Sequence, residues 1–211
     1  MPPRWTDQYL PKDYINSSCY DNLLQPPTFD EWLAILRHLP KDKAAGPSGI
    51  TNEMLTHLSD KFQHLLWQLI CMCFIIGDIP NEWKIAHIFP ISKPMAWECD
   101  ITKTRPITLL ETARKGFVKI LTNRLSNIIA KYSVLRGSNF AGLPGGSTET
   151  PIKILNMLLE DANENNREIW ILLQDLSKAY NCVDLSFFRK ALLRIKIPNH
   201  ATNLLINKLV A

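Results

Sequence analysis

An apolar run at residues 169–174, Ile-Trp-Ile-Leu-Leu-Gln, constrains the fold most strongly because it ends directly at a carboxylate, Asp175. A short apolar run between polar flanks predicts a β-strand that is buried on both faces. An ionised carboxylate at the end of such a strand must be solvated, paired or bound to a metal ion. Asp175 is therefore either a cap for the turn that follows or a metal ligand, and this segment alone favours the cap.

Helical patterns cover most of the rest of the chain. Thr28 and Glu31 form a capping box, which predicts a helix that stops at Pro40. Apolar residues at helical spacing predict further helices at 52–58, 60–76, 111–132, 147–163, 187–195 and about 198–210. Residues 83–94 favour a strand, and their prolines place it at a sheet edge. The predicted fold class is α+β, mostly helical with few strands.

The helix predicted at 111–132 carries three cations, Lys115, Lys119 and Arg124, largely off its apolar stripe. Such positions favour a solvated helix face. A surface that faces RNA is the alternative, because lysine and arginine neutralise phosphates.

Composition narrows the class of protein without deciding it. The 211 residues allow one or two domains, and their net charge of +4 permits a polyanionic partner. The five cysteines contain no CxxC pair, which disfavours a disulfide framework or zinc site and favours an intracellular protein, nuclear or cytoplasmic. The most apolar stretch, 65–76, is shorter than the ~20 residues of a membrane span, and we expect no membrane association.

The segment from Asp175 to Tyr180, Asp-Leu-Ser-Lys-Ala-Tyr, resembles the first catalytic motif of the reverse transcriptases of non-LTR (LINE-type) retrotransposons. The family pattern is Asp, two residues, Lys-Ala, Tyr or Phe, Asp, one residue and Val, and Asn181 stands where the second Asp is usual. The resemblance implies that Asp175 is catalytic and holds divalent metal. It also implies that Tyr180 lies beneath the sugar of the incoming nucleotide and rejects a 2′-hydroxyl.

Further motifs resemble the same family and follow in the family's order. They are Lys-Ala-Ala-Gly-Pro-Ser-Gly-Ile at 43–50, Ile-Pro-x-x-Trp-Lys at 79–84, Pro-Ile-x-Lys at 90–93 and Arg-Pro-Ile-Thr-Leu-Leu at 105–110. Ser48 replaces the usual Asp of the first. The match is weakest in the loop 136–148. The resemblance covers most of the chain from about Phe29 onward.

This resemblance implies a piece of a right-hand polymerase. It predicts an irregular N-terminal arm at 1–27, a fingers-like region at 28–168 and the start of the palm at 169–211. Lys93 and Arg105 are implied to bind the nucleotide by neutralising its triphosphate. The implied partners are an RNA template, a DNA primer and deoxynucleoside triphosphates, and the implied cofactor is Mg²⁺.

One family feature has no counterpart in the sequence. The remaining metal ligands of the family lie in a Tyr/Phe-x-Asp-Asp hairpin, and the sequence contains no two consecutive aspartates. We therefore expect a fragment of an RNA-directed DNA polymerase that is inactive by itself. A non-catalytic nucleic-acid-binding remnant is the alternative, and a helical interaction protein is a third hypothesis that the ordered motifs disfavour.

Overall fold

The computed structural model describes residues 5–94, 96, 98–137, 140, 144–176 and 179–209. It has seven α-helices and one two-stranded antiparallel sheet among these residues. The helices are α1 Phe29–Arg37, α2 Asn52–Thr56, α3 Asp60–Ile76, α4 Thr112–Lys131, α5 Glu149–Glu164, α6 Leu185–Arg194 and α7 Asn199–Leu209; the strands are β1 Ala86–Ser92 and β2 Thr104–Leu110. The predicted α+β class is confirmed. No helix within the described part of the chain is long and apolar enough to cross a membrane.

The chain forms two compact units. One contains residues 20–124 and 198–211, and the other contains residues 1–19 and 125–197. The division falls within α4. The assignment of residues to an arm, fingers and palm stays a prediction, because these units are defined by packing alone. The N-terminal segment is not wholly irregular, since short 3₁₀ helices lie at Trp5–Tyr9 and Ser17–Tyr20.

Local signals act at the helix ends, although the capping box predicted at Thr28 and Glu31 is seen in one direction only, because the Glu31 carboxylate pairs with Arg124. The Thr28 hydroxyl accepts a hydrogen bond of 3.1 Å from the backbone N–H of Glu31 and caps α1. Gly77 ends α3 in the left-handed conformation with φ of 73°. A Cβ at Gly77 would also lie 2.6 Å from the ring of His200 on α7, so this position requires glycine for two separate reasons.

The unit of residues 20–124 and 198–211 encloses one hydrophobic core. Its centre is Trp32 of α1, which packs against α4 where Gly116 leaves room for the indole. The other members of the core are Ile35, Leu36, Leu55, Ile70, Cys73, Phe74, Ile79, Phe117, Ile120, Leu121 and Leu204. This core positions the start of α4 and the segments that contact it.

Arg124 does not lie on a solvated helix face, and that prediction was wrong. Its guanidinium makes a bidentate ion pair with Glu31, with Nε and Nη2 at 2.8 and 2.5 Å from the two carboxylate oxygens. It also donates to the carbonyls of Leu23 and Gln25 and lies 5.3 Å from the ring centroid of Phe74. Arg124 thus connects α4, α1 and the segment before α1, because a guanidinium can donate in several directions at once.

The unit of residues 1–19 and 125–197 has a smaller buried interior. The Tyr14 hydroxyl donates to the carbonyl of Val134 at 3.0 Å, and Arg136 stacks on the Tyr14 ring at 3.7 Å. Ala162 of α5 and Leu192 of α6 are among the buried residues of this unit. Several apolar side chains of α5 remain exposed, and they are Ile152, Ile154, Met157, Leu158 and Leu159.

Candidate nucleotide-binding site

The β1–β2 ribbon is held in one register by a pair of prolines. Pro90 lies directly opposite Pro106. Proline has no N–H to donate, so this pair must occupy a position where the two residues exchange no hydrogen bonds. The neighbouring pair, Ile91 with Arg105, is therefore a hydrogen-bonded pair. β2 was not predicted from the sequence, where residues 105–110 were identified only as a motif that resembles the family.

Three cations lie at the open end of this ribbon. The N–H of Lys93 donates to the carbonyl of Lys103 at 2.8 Å just beyond β1, and Lys103 is the last residue of a 3₁₀ helix at Ile101–Lys103 that leads into β2. Side chains two residues apart in a strand share a face, and directly opposite residues share it as well. Lys93 lies two residues after Ile91, the partner of Arg105, so Lys93 and Arg105 lie on one face, and Lys103 lies next to Lys93 at the end of the ribbon. The structure thus brings together the two predicted triphosphate-binding residues, Lys93 and Arg105.

The surroundings of these three cations differ. Lys93 Nζ donates to the carbonyl of Thr102 at 2.9 Å, and Lys103 Nζ forms an ion pair with Glu98 at 3.3 Å. No described carboxylate lies within ion-pair distance of Arg105, whose side chain is exposed. Sequence reasoning missed Lys103, which reaches this position because the 3₁₀ helix at Ile101–Lys103 leads directly into β2.

The loop that carries the motif at 43–50 is fixed against the start of α4. Glu111, only 6% exposed, accepts hydrogen bonds from the N–H of Ser48 at 2.7 Å and from its hydroxyl at 2.6 Å. The Thr112 hydroxyl donates to the carbonyl of Ile50 at 2.5 Å. A Cβ at Gly46 would lie 2.5 Å from the carbonyl oxygen of Leu110, so only glycine permits this approach. Ser48, which replaces the family's Asp, is here a hydrogen-bond donor to a buried carboxylate.

Asp175 belongs to the other unit and does not end a strand. Residues 169–174 form no strand, and Trp170 and Leu172 are 91% and 90% exposed. The predicted buried strand is therefore wrong. A strand needs a hydrogen-bonded neighbour, and β1 and β2, the two strands in the described residues, pair with each other. Asp175 itself is exposed.

Tyr180 lies in a short 3₁₀ helix at Ala179–Cys182, downstream of Asp175. Its side chain, and residues 177 and 178 of the same motif, are outside the described residues. So are 138, 139 and 141–143 of the loop with the weakest family match. The role of Tyr180 under the sugar of a nucleotide stays a prediction.

A divalent metal ion requires more ligand oxygen atoms than the Asp175 carboxylate offers. Magnesium is bound through several oxygen atoms in an octahedral arrangement. Among the residues that the structure describes, no group of three or more His, Cys, Asp or Glu side chains could hold a metal ion. The donor set of the described residues therefore does not fit the implied Mg²⁺ as a complete site, and Asp175 alone is too small a set.

Asp184 is not an additional metal ligand in this arrangement. Its carboxylate caps α6 by accepting from the backbone N–H groups of Ser186 and Phe187 at 2.8 and 3.1 Å. The Ser186 hydroxyl donates to the same oxygen at 2.5 Å. This hydroxyl contact, together with the two backbone donors, holds the pKa of the Asp184 carboxyl below its usual value. Its charge therefore stabilises the start of α6.

Known relatives of this chain are transposon proteins. It is 24% identical over 160 residues to the probable RNA-directed DNA polymerase from transposon BS of Drosophila melanogaster, covering 76% of this chain and 18% of the relative. It is 26% identical over 174 residues to the RNA-directed DNA polymerase from mobile element jockey of the same organism, covering 82% and 19%. No protein-family model matches the chain.

A third relative extends this similarity to another organism. The chain is 24% identical over 182 residues to the retrovirus-related Pol polyprotein from type-1 retrotransposable element R2 of Nasonia vitripennis, covering 86% of this chain and 17% of the relative. The resemblance to non-LTR retrotransposon reverse transcriptases is confirmed. The chain spans less than a fifth of the length of these relatives.

Proposed function

We propose that this chain is the fingers and the first part of the palm of a retrotransposon RNA-directed DNA polymerase. The observation that carries the proposal is the position of Lys93, Lys103 and Arg105 together at one end of the β1–β2 ribbon. Two of these cations occupy the positions that the family resemblance assigns to the triphosphate. The similarity to RNA-directed DNA polymerases over most of the chain supports the same function.

The ribbon cations act by electrostatics. A triphosphate concentrates negative charge, and fixed cations stabilise it without rearranging during the reaction. The Arg105 side chain is exposed, and no described carboxylate lies within ion-pair distance of it. Arg105 is therefore the side chain of the three that is most available to phosphate oxygens. Lys93 is half-buried and already held by the carbonyl of Thr102, which positions its ammonium group.

The test is binding of a fluorescent deoxynucleoside triphosphate to the purified chain. Arg105→Ala removes a charge-assisted contact that contributes about 1.5 kcal/mol or more, so we expect the dissociation constant to rise at least about tenfold. Arg37→Ala, at an exposed position on α1, removes the same charge away from the ribbon and serves as the control. Equal affinity of the Arg105 and Arg37 variants would refute the role of Arg105.

We keep a second candidate function, non-catalytic nucleic-acid binding, because the residues that the structure describes include no group of three or more His, Cys, Asp or Glu side chains that could hold a metal ion. Primer extension on an RNA template with Mg²⁺ or Mn²⁺ separates the two. We expect no extension by the chain alone, because in-line displacement needs ions fixed by several oxygen ligands. Extension that disappears in Asp175→Ala would establish catalysis and contradict this expectation.

Tyr180 is tested in any longer polypeptide of this element that extends a primer. Tyr180→Ala is expected to admit ribonucleotides more readily, because the proposed clash with the 2′-hydroxyl disappears. The measurement is the ratio of deoxynucleotide to ribonucleotide incorporation. An active variant with the wild-type ratio would leave Tyr180 as a packing residue.

A further inference from the structure

A second basic site lies within the unit of residues 20–124 and 198–211. It is a cavity of about 540 Å³ at the end of α1, beside β2 and the start of α4. Its lining combines three lysines with aliphatic side chains, and these are Lys43, Lys115, Lys119, Leu39, Ile107 and Leu109. We call it the lysine cavity. Lys43 comes from the loop before α2 and is distant in sequence from the other two lysines, so only the fold brings the three together.

The charges of the lysine cavity are not neutralised by the described part of the protein. Lys115 and Lys119 are four residues apart on α4, where like charges repel each other. Lys115 Nζ reaches the carbonyl of Ala44 at 3.4 Å, and none of the described carboxylates lies within ion-pair distance of Lys43, Lys115 or Lys119. Three unpaired cations around one concavity create a positive potential that attracts an anion.

The lysine cavity shares the ribbon face that carries the triphosphate cations. Ile107 and Leu109 lie two and four residues after Arg105 in β2. Every second side chain of a strand is on the same face, so all three project from one face. Two residues of a strand span about 7 Å and four span about 13 Å, so the cavity begins next to Arg105 at Ile107 and extends along β2 to Leu109. Its three lysines come from the loop before α2 and from α4, so the cavity offers a ligand charges other than that of Arg105.

The mixed lining indicates what that ligand is. The lysines suit phosphate groups, whereas the aliphatic side chains suit the apolar surface of a base or sugar. In a duplex the faces of the bases are stacked on each other, so only an unpaired nucleotide can place a base against the aliphatic side chains. We propose that the lysine cavity binds an unpaired nucleotide of a single-stranded polynucleotide, with flanking phosphates at Lys43, Lys115 and Lys119. The proposal rests on the proposed function only in identifying that strand as the template.

The first experiment measures the salt dependence of strand binding to the full chain. A labelled single-stranded RNA is titrated by fluorescence anisotropy between about 50 and 200 mM salt. Each phosphate contact to a single strand contributes about 0.7 to the slope of log affinity against log salt. The double variant Lys43→Gln/Lys119→Gln should therefore reduce the slope by about 1.4. Both side chains are exposed, so these changes leave the core intact.

The matched control is Lys61→Gln/Lys131→Gln, which removes the same charge from exposed positions on α3 and α4 outside the cavity. We expect it to leave the slope near the wild-type value. A second variant, Ile107→Thr, tests the aliphatic lining: it should weaken strand binding at every salt concentration without changing the slope. Equal slopes for the cavity variant and the control would overturn the inference.

Two further measurements distinguish a single strand from a duplex and from a free nucleotide as the ligand of the cavity. A duplex of the same sequence should bind wild type and Ile107→Thr equally, because its bases are not available to the aliphatic side chains. Unlabelled deoxynucleoside triphosphate should not displace the single strand from the cavity. If it does displace the strand from wild type but not from Lys43→Gln/Lys119→Gln, the cavity is a site for free nucleotides and the proposal is refuted. Failure of the proposed function would instead appear as unchanged triphosphate binding in Arg105→Ala.

Discussion

The ion pair between Arg124 and Glu31 provides the strictest test of how this fold is stabilised. Arg124→Met keeps much of the side-chain volume but removes the bidentate pair, the two carbonyl contacts and the charge over Phe74. The side chains of Arg124 and Glu31 are 17% and 32% exposed, so the loss of the pair leaves a partly buried carboxylate without its partner. We expect the unit of residues 20–124 and 198–211 to be strongly destabilised.

The magnitude follows from the contacts. A hydrogen bond to a charged group contributes about 1.5–3 kcal/mol, and partial exposure lowers the value of each ion-pair contact. The four hydrogen bonds of the Arg124 guanidinium act as one unit and do not add, so we expect a loss of about 3 kcal/mol in the free energy of unfolding. For a chain of this size that corresponds to a fall of about 6–12 °C in melting temperature.

The assay is thermal and urea unfolding of a double-mutant cycle. The members are wild type, Glu31→Gln, Arg124→Met and the double variant, with Arg37→Met as a control for loss of an exposed arginine. We expect a coupling energy of about 1–3 kcal/mol between Glu31 and Arg124. A coupling energy below about 0.5 kcal/mol would mean that the pair is solvated, and would refute the structural role argued for Arg124.

Three further predictions concern other contacts. Ser48→Asp should lower the free energy of unfolding by about 2 kcal/mol, because it sets a second carboxylate against buried Glu111; urea unfolding measures it, and Ser48→Ala, which adds no charge, should cost less. Gly116→Ala should cost about 1–2 kcal/mol despite the better helix propensity of alanine, because the new Cβ would lie 2.8 Å from the Trp32 ring; an unchanged urea midpoint would contradict it. The depressed pKa of Asp184 means that its stabilisation of α6 is present above the unfolded-state pKa and is lost as the pH falls through the folded value. The melting-temperature difference between wild type and Asp184→Asn should therefore shrink as the pH falls below about 4, and a difference that stays constant would argue against the charge effect.

Local sequence chemistry predicted the helices well because the deciding groups are close in the chain. The Thr28 cap, the glycine at 77 and the periodic apolar residues of α4 each act within a few positions of one another. The predicted strand at 169–174 failed for the opposite reason. An apolar run becomes a strand only when another strand accepts its hydrogen bonds, and the described residues supply no such partner beside it.

Sequence patterns alone predicted the helical segments, the first strand and the resemblance to non-LTR reverse transcriptases, which the transposon relatives support. Which cations lie close together became evident from the fold. The register across Pro90 and Pro106 places Arg105 opposite Ile91, the backbone bond from Lys93 to Lys103 brings those two lysines to the same end, and the docked loop brings Lys43 to α4. Spacing along the chain determines which face of a helix or strand a side chain occupies, whereas long-range packing determines which residues that face contacts.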